Sequence, residues 1–320
     1  MRDSFGREID YVRISLTDRC QLRCTYCISK EDANWLKPCE KLTSEEIIEM
    51  VTALTTLGIK KLKLTGGEPL LYPNLISLIM RLKQISGIKE ITLTTNGIKL
   101  PEMIDSLVEA GLDGINISLD TLDPDHYASL TKIGQLKLAT KGLNRALKSS
   151  IKQVKINSVL IDSLTEKEAI DLMKLAKTTR AHVRFIEWMP IGHQKPNTHL
   201  TEQSIKQLIE ANFGPVKASS KRLGNGPARY YEVEGFKGKI GFISAVTQHF
   251  CHQCNRLRIT SDGVLKTCLA LSGGTNLKKA IQQENLEQTL IEALKKKPEK
   301  HLFGEPTDKR ELKNMRQIGG

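Results

Sequence analysis

Six short β-rich runs alternate with amphipathic helical runs over the first 190 residues, and that rhythm leaves the chain few folds. The runs are Tyr11–Leu16, Lys61–Leu64, Glu90–Thr94, Gly114–Ser118, Val154–Leu160 and His182–Ile186. Strands separated by helices pair in parallel, because each helix returns the chain to the edge where the strand began. The punctuation agrees. Thr43 with Glu46, and Thr165 with Glu168, carry the spacing of a capping box. Pro101 suits a first helical turn, and Gly58, Gly87 and Gly111 stand where helices should stop.

A doubly wound sheet and a partial barrel both fit this rhythm. The unusual residues favour the barrel. Polar or glycine-bearing clusters follow the strands at Thr17–Cys27, Thr65-Gly66-Gly67-Glu68-Pro69, Thr94-Thr95-Asn96-Gly97, Ser118-Leu119-Asp120, Asn157 and Glu187-Trp188-Met189-Pro190. One or two such clusters are turns. Six in phase would converge on the face at the strands' C-terminal ends. After Pro190 the rhythm breaks. A helix is expected at Thr201–Asn212, then a glycine-bearing connection at Lys221–Pro227. A hairpin from Arg229–Val233 and Lys239–Ile243 and a helix over Asn276–Lys297 follow. The expectation is an α/β core over residues 1–218, a partial (β/α)6 barrel, with a smaller α+β domain over 219–320.

No apolar run approaches the ~20 residues of a membrane span, so no membrane partner is expected. The opening Met1–Glu8 lacks the apolar stretch of a secretory signal, which points to the cytoplasm. The net charge of +12 favours anionic partners. Two basic runs near the end, Lys295-Lys296-Lys297 with Lys300 and Lys309, Arg310, Lys313 and Arg316, read as surface patches. Neither is interleaved with aromatics, so a nucleic-acid surface has weak support.

Seven cysteines, an odd number with no export signal, argue against a disulfide framework. Six form two triplets and Cys39 stands alone as a spare thiol. The first triplet, Cys20-Gln21-Leu22-Arg23-Cys24-Thr25-Tyr26-Cys27, has C-x3-C-x2-C spacing. Soft thiolates select iron–sulfur clusters, zinc or copper(I). A structural zinc site wants four ligands, and no fourth is near. Three thiolates hold three irons of a cubane and leave the last open to a small chelator such as S-adenosylmethionine. With the later Gly66-Gly67-Glu68-Pro69, the spacing resembles the radical S-adenosylmethionine superfamily. That resemblance implies an aromatic near adenine at Tyr26, bare backbone near the methionine amine at Gly66 and Gly67, and cofactor contacts at Asn96, Ser118 and Met189.

The second triplet, Cys251, Cys254 and Cys268, has C-x2-C-x13-C spacing. Taken alone, zinc and a cluster are equally good readings, since His249 or His252 could complete a Cys3His site. The surrounding residues decide. Phe250-Cys251-His252-Gln253-Cys254-Asn255-Arg256-Leu257-Arg258, with Thr17-Asp18-Arg19-Cys20, Val154-Lys155-Ile156-Asn157 and Phe185-Ile186-Glu187-Trp188-Met189-Pro190, resemble the GTP 3′,8-cyclase family nearly end to end.

The resemblance implies two [4Fe-4S] clusters, S-adenosylmethionine as cofactor and GTP as substrate, its guanine meeting the open iron of the second cluster. It implies GTP contacts at Arg13, Lys63, Thr94, Lys155, Arg256 and Arg258, a cationic group at Arg184, and a tail ending in Gly319-Gly320 that reaches the site. Partners implied are a flavodoxin-like or ferredoxin-like electron donor, a downstream cyclic-pterin-forming enzyme and a second copy in a homodimer. Lys63 stands where the family usually has arginine, Tyr72-Pro73 replaces a basic pair, and Gln21 and Ser158 also depart. Competing readings are another radical enzyme with an auxiliary cluster, acting on a peptide or another nucleotide, and a zinc- or cluster-bearing RNA-binding module.

Overall fold

The computed structural model describes residues 1–27, 35–191, 200–221, 223–301, 303, 311, 313 and 315–319. Six strands, β1 (Tyr11–Ser15), β2 (Lys61–Thr65), β3 (Glu90–Thr95), β4 (Gly114–Ser118), β5 (Gln153–Leu160) and β6 (His182–Glu187), pair in sequence order. Every one of these pairings is parallel. Each boundary lies within one residue of the sequence expectation. The helices α1 (Ser44–Thr56), α2 (Leu75–Gln84), α3 (Leu100–Glu109), α4 (Pro124–Thr131), α5 (Leu136–Lys148) and α6 (Glu166–Thr178) connect them. Both capping boxes form: Thr43 Oγ1 accepts from Glu46 N at 3.2 Å, and Thr165 Oγ1 from Glu168 N at 3.2 Å.

Period-two alternation sorts each strand into two faces. Val12, Ile14, Leu62, Leu64, Ile91, Leu93, Ile115, Ile117, Val154, Ile156, Val183 and Phe185 are buried in the core with the helices' apolar faces. Each such side chain contributes about 1.5–3 kcal/mol. The intervening residues face the other way: Arg13, Lys63, Thr94, Asn116, Lys155 and Arg184. The bore is therefore polar and cationic, and the hydrophobic core lies between sheet and helices.

The later part of the chain extends this sheet at both edges. It comprises α7 (Glu202–Phe213), β7 (Val216–Ala218), β8 (Arg229–Val233), β9 (Ile240–Ile243), β10 (Arg256–Ile259), β11 (Val264–Lys266), β12 (Thr275–Asn276), α8 (Leu277–Gln282), α9 (Leu286–Lys295) and α10 (Met315–Ile318). The order is β12-β11-β10-β1-β2-β3-β4-β5-β6-β9-β8-β7. β10 lies parallel to β1, with Arg258 opposite Arg13, and β9 lies parallel to β6. The expected hairpin is β8–β9.

The single helix expected over Asn276–Lys297 is instead two. Glu284 takes a left-handed φ of 55° between α8 and α9 and turns the chain. Asn276 caps α8 by accepting from Lys279 N at 2.9 Å. Among the described residues no helix is long and apolar enough to cross a membrane.

Candidate active site

The first triplet sits on the loop leaving β1. Backbone donors shape it: Leu22 N donates to Cys20 Sγ at 3.3 Å, and Cys27 N to Cys24 O at 2.9 Å. Arg23 Nη1 donates to the Cys20 carbonyl at 2.6 Å. Burial pushes the Cys20 thiol up to about 11 and the Cys27 thiol up to about 12. Gly66-Gly67 lie edge-on against this loop, Gly67 N donating to Thr17 O at 2.6 Å. A Cβ on Gly67 would come within 2.3 Å of Arg19 O, so no larger residue fits. The glycines thus serve the packing of the cysteine loop as well as the open backbone expected for a ligand.

Two residues that carried no assigned role organise this end. Glu68 accepts from Thr95 Oγ1 at 2.6 Å, Asn96 N at 2.8 Å and Leu70 N at 3.1 Å, which ties the end of β2 to that of β3. Burial lifts its carboxyl to about 7 against those bonds. Asp120 accepts from Tyr26 OH at 2.6 Å and from Val159 N at 2.8 Å, fixing the Tyr26 ring. Both lay within the polar strand-end clusters, the one signal by which sequence could have found them.

The second triplet is assembled by a hairpin. Cys251 and Cys254 precede β10, and Cys268 follows β11, which pairs antiparallel with β10. Burial would raise the Cys254 thiol; Arg256 and Lys297 outweigh it and bring it down to about 6. Of the zinc-completing candidates, His249 turns its Nδ1 to His301 Nε2 at 2.9 Å, and His252 is exposed. Among the described residues no three Cys, His, Asp or Glu groups converge as the ligands of one ion. Thiolates of a cubane stand farther apart, each on its own iron, so this geometry does not bear on a cluster.

Both triplets line one cavity of about 310 Å³. Arg13, Thr94, Arg256 and Arg258 line it too, as do Tyr26, Gly67, Ser118 and Met189. Lys63, Lys155 and Arg184 are not among its walls. Lys63 stands on β2 opposite Arg13 of β1. Lys155 Nζ donates to Gln153 Oε1 at 2.6 Å and Leu223 O at 3.3 Å, and Arg184 Nε donates to Asn157 Oδ1 at 2.8 Å. The cations repel one another. Burial, then Arg184, Arg13 and Lys155, hold Lys63 well below the usual ammonium range. Burial and Arg184 bring Lys155 down to about 7. Burial, with Arg13 and Arg256, lowers Arg258.

The tail reaches into the same place. Gly319 O accepts from Arg258 Nη1 at 3.1 Å and from Thr65 Oγ1 at 3.1 Å. Gly319 has a φ of 79°, and a Cβ there would come within 2.9 Å of Ser15 Cβ. Gly320 lies outside the described residues. The two basic runs read as surface patches are not wholly so: Lys297 and Arg316 are buried, and Lys309 and Arg310 lie outside the described residues. Arg316 stacks its guanidinium over Trp35, 4.0 Å from the ring centre. A run of like charges shows no periodicity that separates its buried members from the solvated ones.

Known proteins resemble this chain in sequence and in fold. Residues 14–176 match the family model of the Radical SAM superfamily, and residues 181–303 that of Molybdenum Cofactor Synthesis C. A protein of Clostridium perfringens (strain SM101 / Type A) named GTP 3′,8-cyclase is 41% identical over 324 residues, with all of both chains covered. Its counterpart in Pelotomaculum thermopropionicum is 40% identical over 327 residues, again across both whole chains. Among solved structures, Streptococcus suis SuiB bound to S-adenosylmethionine superposes with a TM-score of 0.60 at 17% identity. The match covers 88% of this chain and 65% of that one, and at such identity it speaks for the fold alone. With curated relatives matched from end to end and both family models in register with the two cysteine triplets, the chain belongs to the GTP 3′,8-cyclase family of radical S-adenosylmethionine enzymes.

Proposed function

We propose that this chain converts GTP to (8S)-3′,8-cyclo-7,8-dihydroguanosine 5′-triphosphate, the opening step of molybdenum cofactor biosynthesis. The observation that carries the reading is a single cavity lined by both cysteine triplets and by Arg13, Arg256 and Arg258. The donor sets fit two [4Fe-4S] clusters: each offers three thiolates and leaves one iron for a small ligand. When bound, the first cluster with S-adenosylmethionine would supply the radical chemistry for hydrogen abstraction from the ribose, and the second would offer its open iron to the guanine.

The protein's own residues do the rest. Tyr26, oriented by Asp120, offers its ring to adenine. Gly67, Ser118 and Met189 complete the cofactor's wall. Arg13, Thr94, Arg256 and Arg258 take the nucleotide from the cavity wall. Lys63 and Lys155, on the same strand faces beyond that wall, add positive charge for its phosphates, and Asn157 holds Arg184. Crowded buried cations destabilise one another unless an anion joins them. A triphosphate answers that need and a neutral peptide does not. Arginine forks suit phosphate oxygens through paired N–H donors. Gly319 closes the site beside Arg258 and allows a narrow approach; the family resemblance assigns Gly320 to the same role. In this scheme residues 1–218 handle the cofactor and 219–320 the second cluster. A flavodoxin-like or ferredoxin-like carrier supplies electrons, and the product passes to a cyclic-pterin-forming enzyme.

The test is anaerobic incubation with GTP, S-adenosylmethionine and a reductant. A nucleotide isomer of GTP should accumulate with one 5′-deoxyadenosine per turnover. Intact GTP in the presence of about eight irons per chain and rapid cofactor cleavage would overturn the substrate assignment.

A further inference from the structure

We propose that Lys297 is a positioning residue of the second site, donating a hydrogen bond to Cys254 and thereby raising the reduction potential of the cluster held there. The inference rests on the reading that Cys251, Cys254 and Cys268 hold a cluster.

Lys297 lies in a basic run, yet it is only 4% exposed while Lys295, Lys296 and Lys300 are exposed. Its Nζ stands 3.5 Å from Cys254 Sγ, 2.9 Å from Arg256 O and 2.6 Å from Thr267 O. An ammonium has three N–H donors and no acceptor, and here each donor has one acceptor. The two carbonyls belong to different arms of the site. Arg256 opens β10 just after Cys254, and Thr267 immediately precedes Cys268. One side chain therefore cross-links both arms and also touches a ligand sulfur.

Arg7 fixes the other side. Its Nη1 donates to Cys251 O at 2.8 Å and Glu299 O at 2.7 Å, and its Nη2 to Pro298 O at 2.6 Å. Asp3 Oδ2 accepts from Arg7 Nε at 2.6 Å and holds the guanidinium. Arg7 thus joins the Cys251 backbone to the residues just after Lys297. Residues near positions 7 and 297 together brace all three cysteines. A mere staple would need only the carbonyl bonds. The third donor points at sulfur, where a hydrogen bond and a buried positive charge stabilise the extra electron of a reduced cluster.

The measurement uses the full-length chain with Cys20, Cys24 and Cys27 changed to Ala, so that only the second site contributes. After anaerobic reconstitution this parent should hold about four irons, and its reduced cluster is titrated by electron paramagnetic resonance. Lys297→Gln should shift the midpoint potential to more negative values, and Lys297→Arg should restore most of the shift. An unchanged potential in Lys297→Gln with iron retained overturns the inference. A second readout does not depend on any change at Lys297: in the parent grown with lysine labelled at its side-chain nitrogen with 15N, pulsed resonance should detect 15N coupled to the reduced cluster. Absence of that coupling overturns the inference as well. A parent that binds no iron removes the cluster reading itself, an outcome distinct from a cluster with no lysine coupling.

Discussion

The first cysteine triplet lies within eight residues of one loop, whereas the second spans eighteen residues across a hairpin. Their surroundings differ as much as their spacing. At the first site burial raises the thiols, and Glu68 and Asp120 add to the effect on Cys20 and Cys24. At the second, Arg256 and Lys297 overcome burial and bring Cys254 down to about 6. An added electron is disfavoured beside carboxylates and favoured beside cations. Under the proposed function, a cluster at the first site would be the stronger reductant and one at the second the steadier anchor. One fold supplies both because the first loop faces strand ends rich in carboxylates and the second enters beside arginines on β1 and β10.

The sharpest way to break this contrast is to remove one ligand from each site. Cys20→Ala should reduce cofactor cleavage to background. Cys251→Ala should keep 5′-deoxyadenosine formation, uncoupled, and abolish the cyclised nucleotide, both read by liquid chromatography, which separates the isomer from GTP. Normal product from the Cys251 variant would end the division of roles.

A smaller effect tests the cationic side. Arg258→Ala should weaken GTP about 10- to 100-fold, the range for hydrogen bonds to charged groups, and guanosine far less. Calorimetry with the two ligands separates the outcomes, and equal losses would mean that Arg258 serves the base. The metal-free protein offers a chemical test of the two fields. At pH 7 Cys254 is mostly thiolate and Cys20 and Cys27 are thiols. Iodoacetamide should label Cys254 at least about tenfold faster, as peptide mapping would show. The reverse order would contradict the contrast.

The gentlest effect concerns pH. Lys155 has its pKa lowered to about 7, so in the free protein it loses its charge above that pH. A bound triphosphate favours the ammonium, so binding takes up a proton and weakens from pH 7 to 9, by at most about tenfold per unit for one proton. Calorimetry in buffers of different ionisation enthalpy measures the uptake. Lys155→Met should diminish it, leaving the part carried by Lys63.

Local features were legible in advance. The β1–β6 boundaries, the Thr43 and Thr165 caps and the glycines with left-handed backbone at 58, 87 and 111 all follow from side-chain chemistry acting over a few residues. The helix expected over Asn276–Lys297 failed because a left-handed Glu284 has no strong signature. The burial of Lys297 and Arg316 was hidden because charge runs look alike in solvent and in a buried network.

By itself the sequence determined the strand–helix rhythm, the two cysteine trios and the residues shared with the cyclase family, since each is written in the kind and spacing of neighbouring side chains. Tertiary structure alone decided that β10 pairs with β1 and β9 with β6, which brings Cys251, Cys254 and Cys268 to the cavity of Cys20, Cys24 and Cys27. It alone placed Arg7 against Cys251 and Lys297 against Cys254. Ladder bonds join backbone groups that every residue carries, so a pairing between segments over two hundred positions apart leaves no local mark to read.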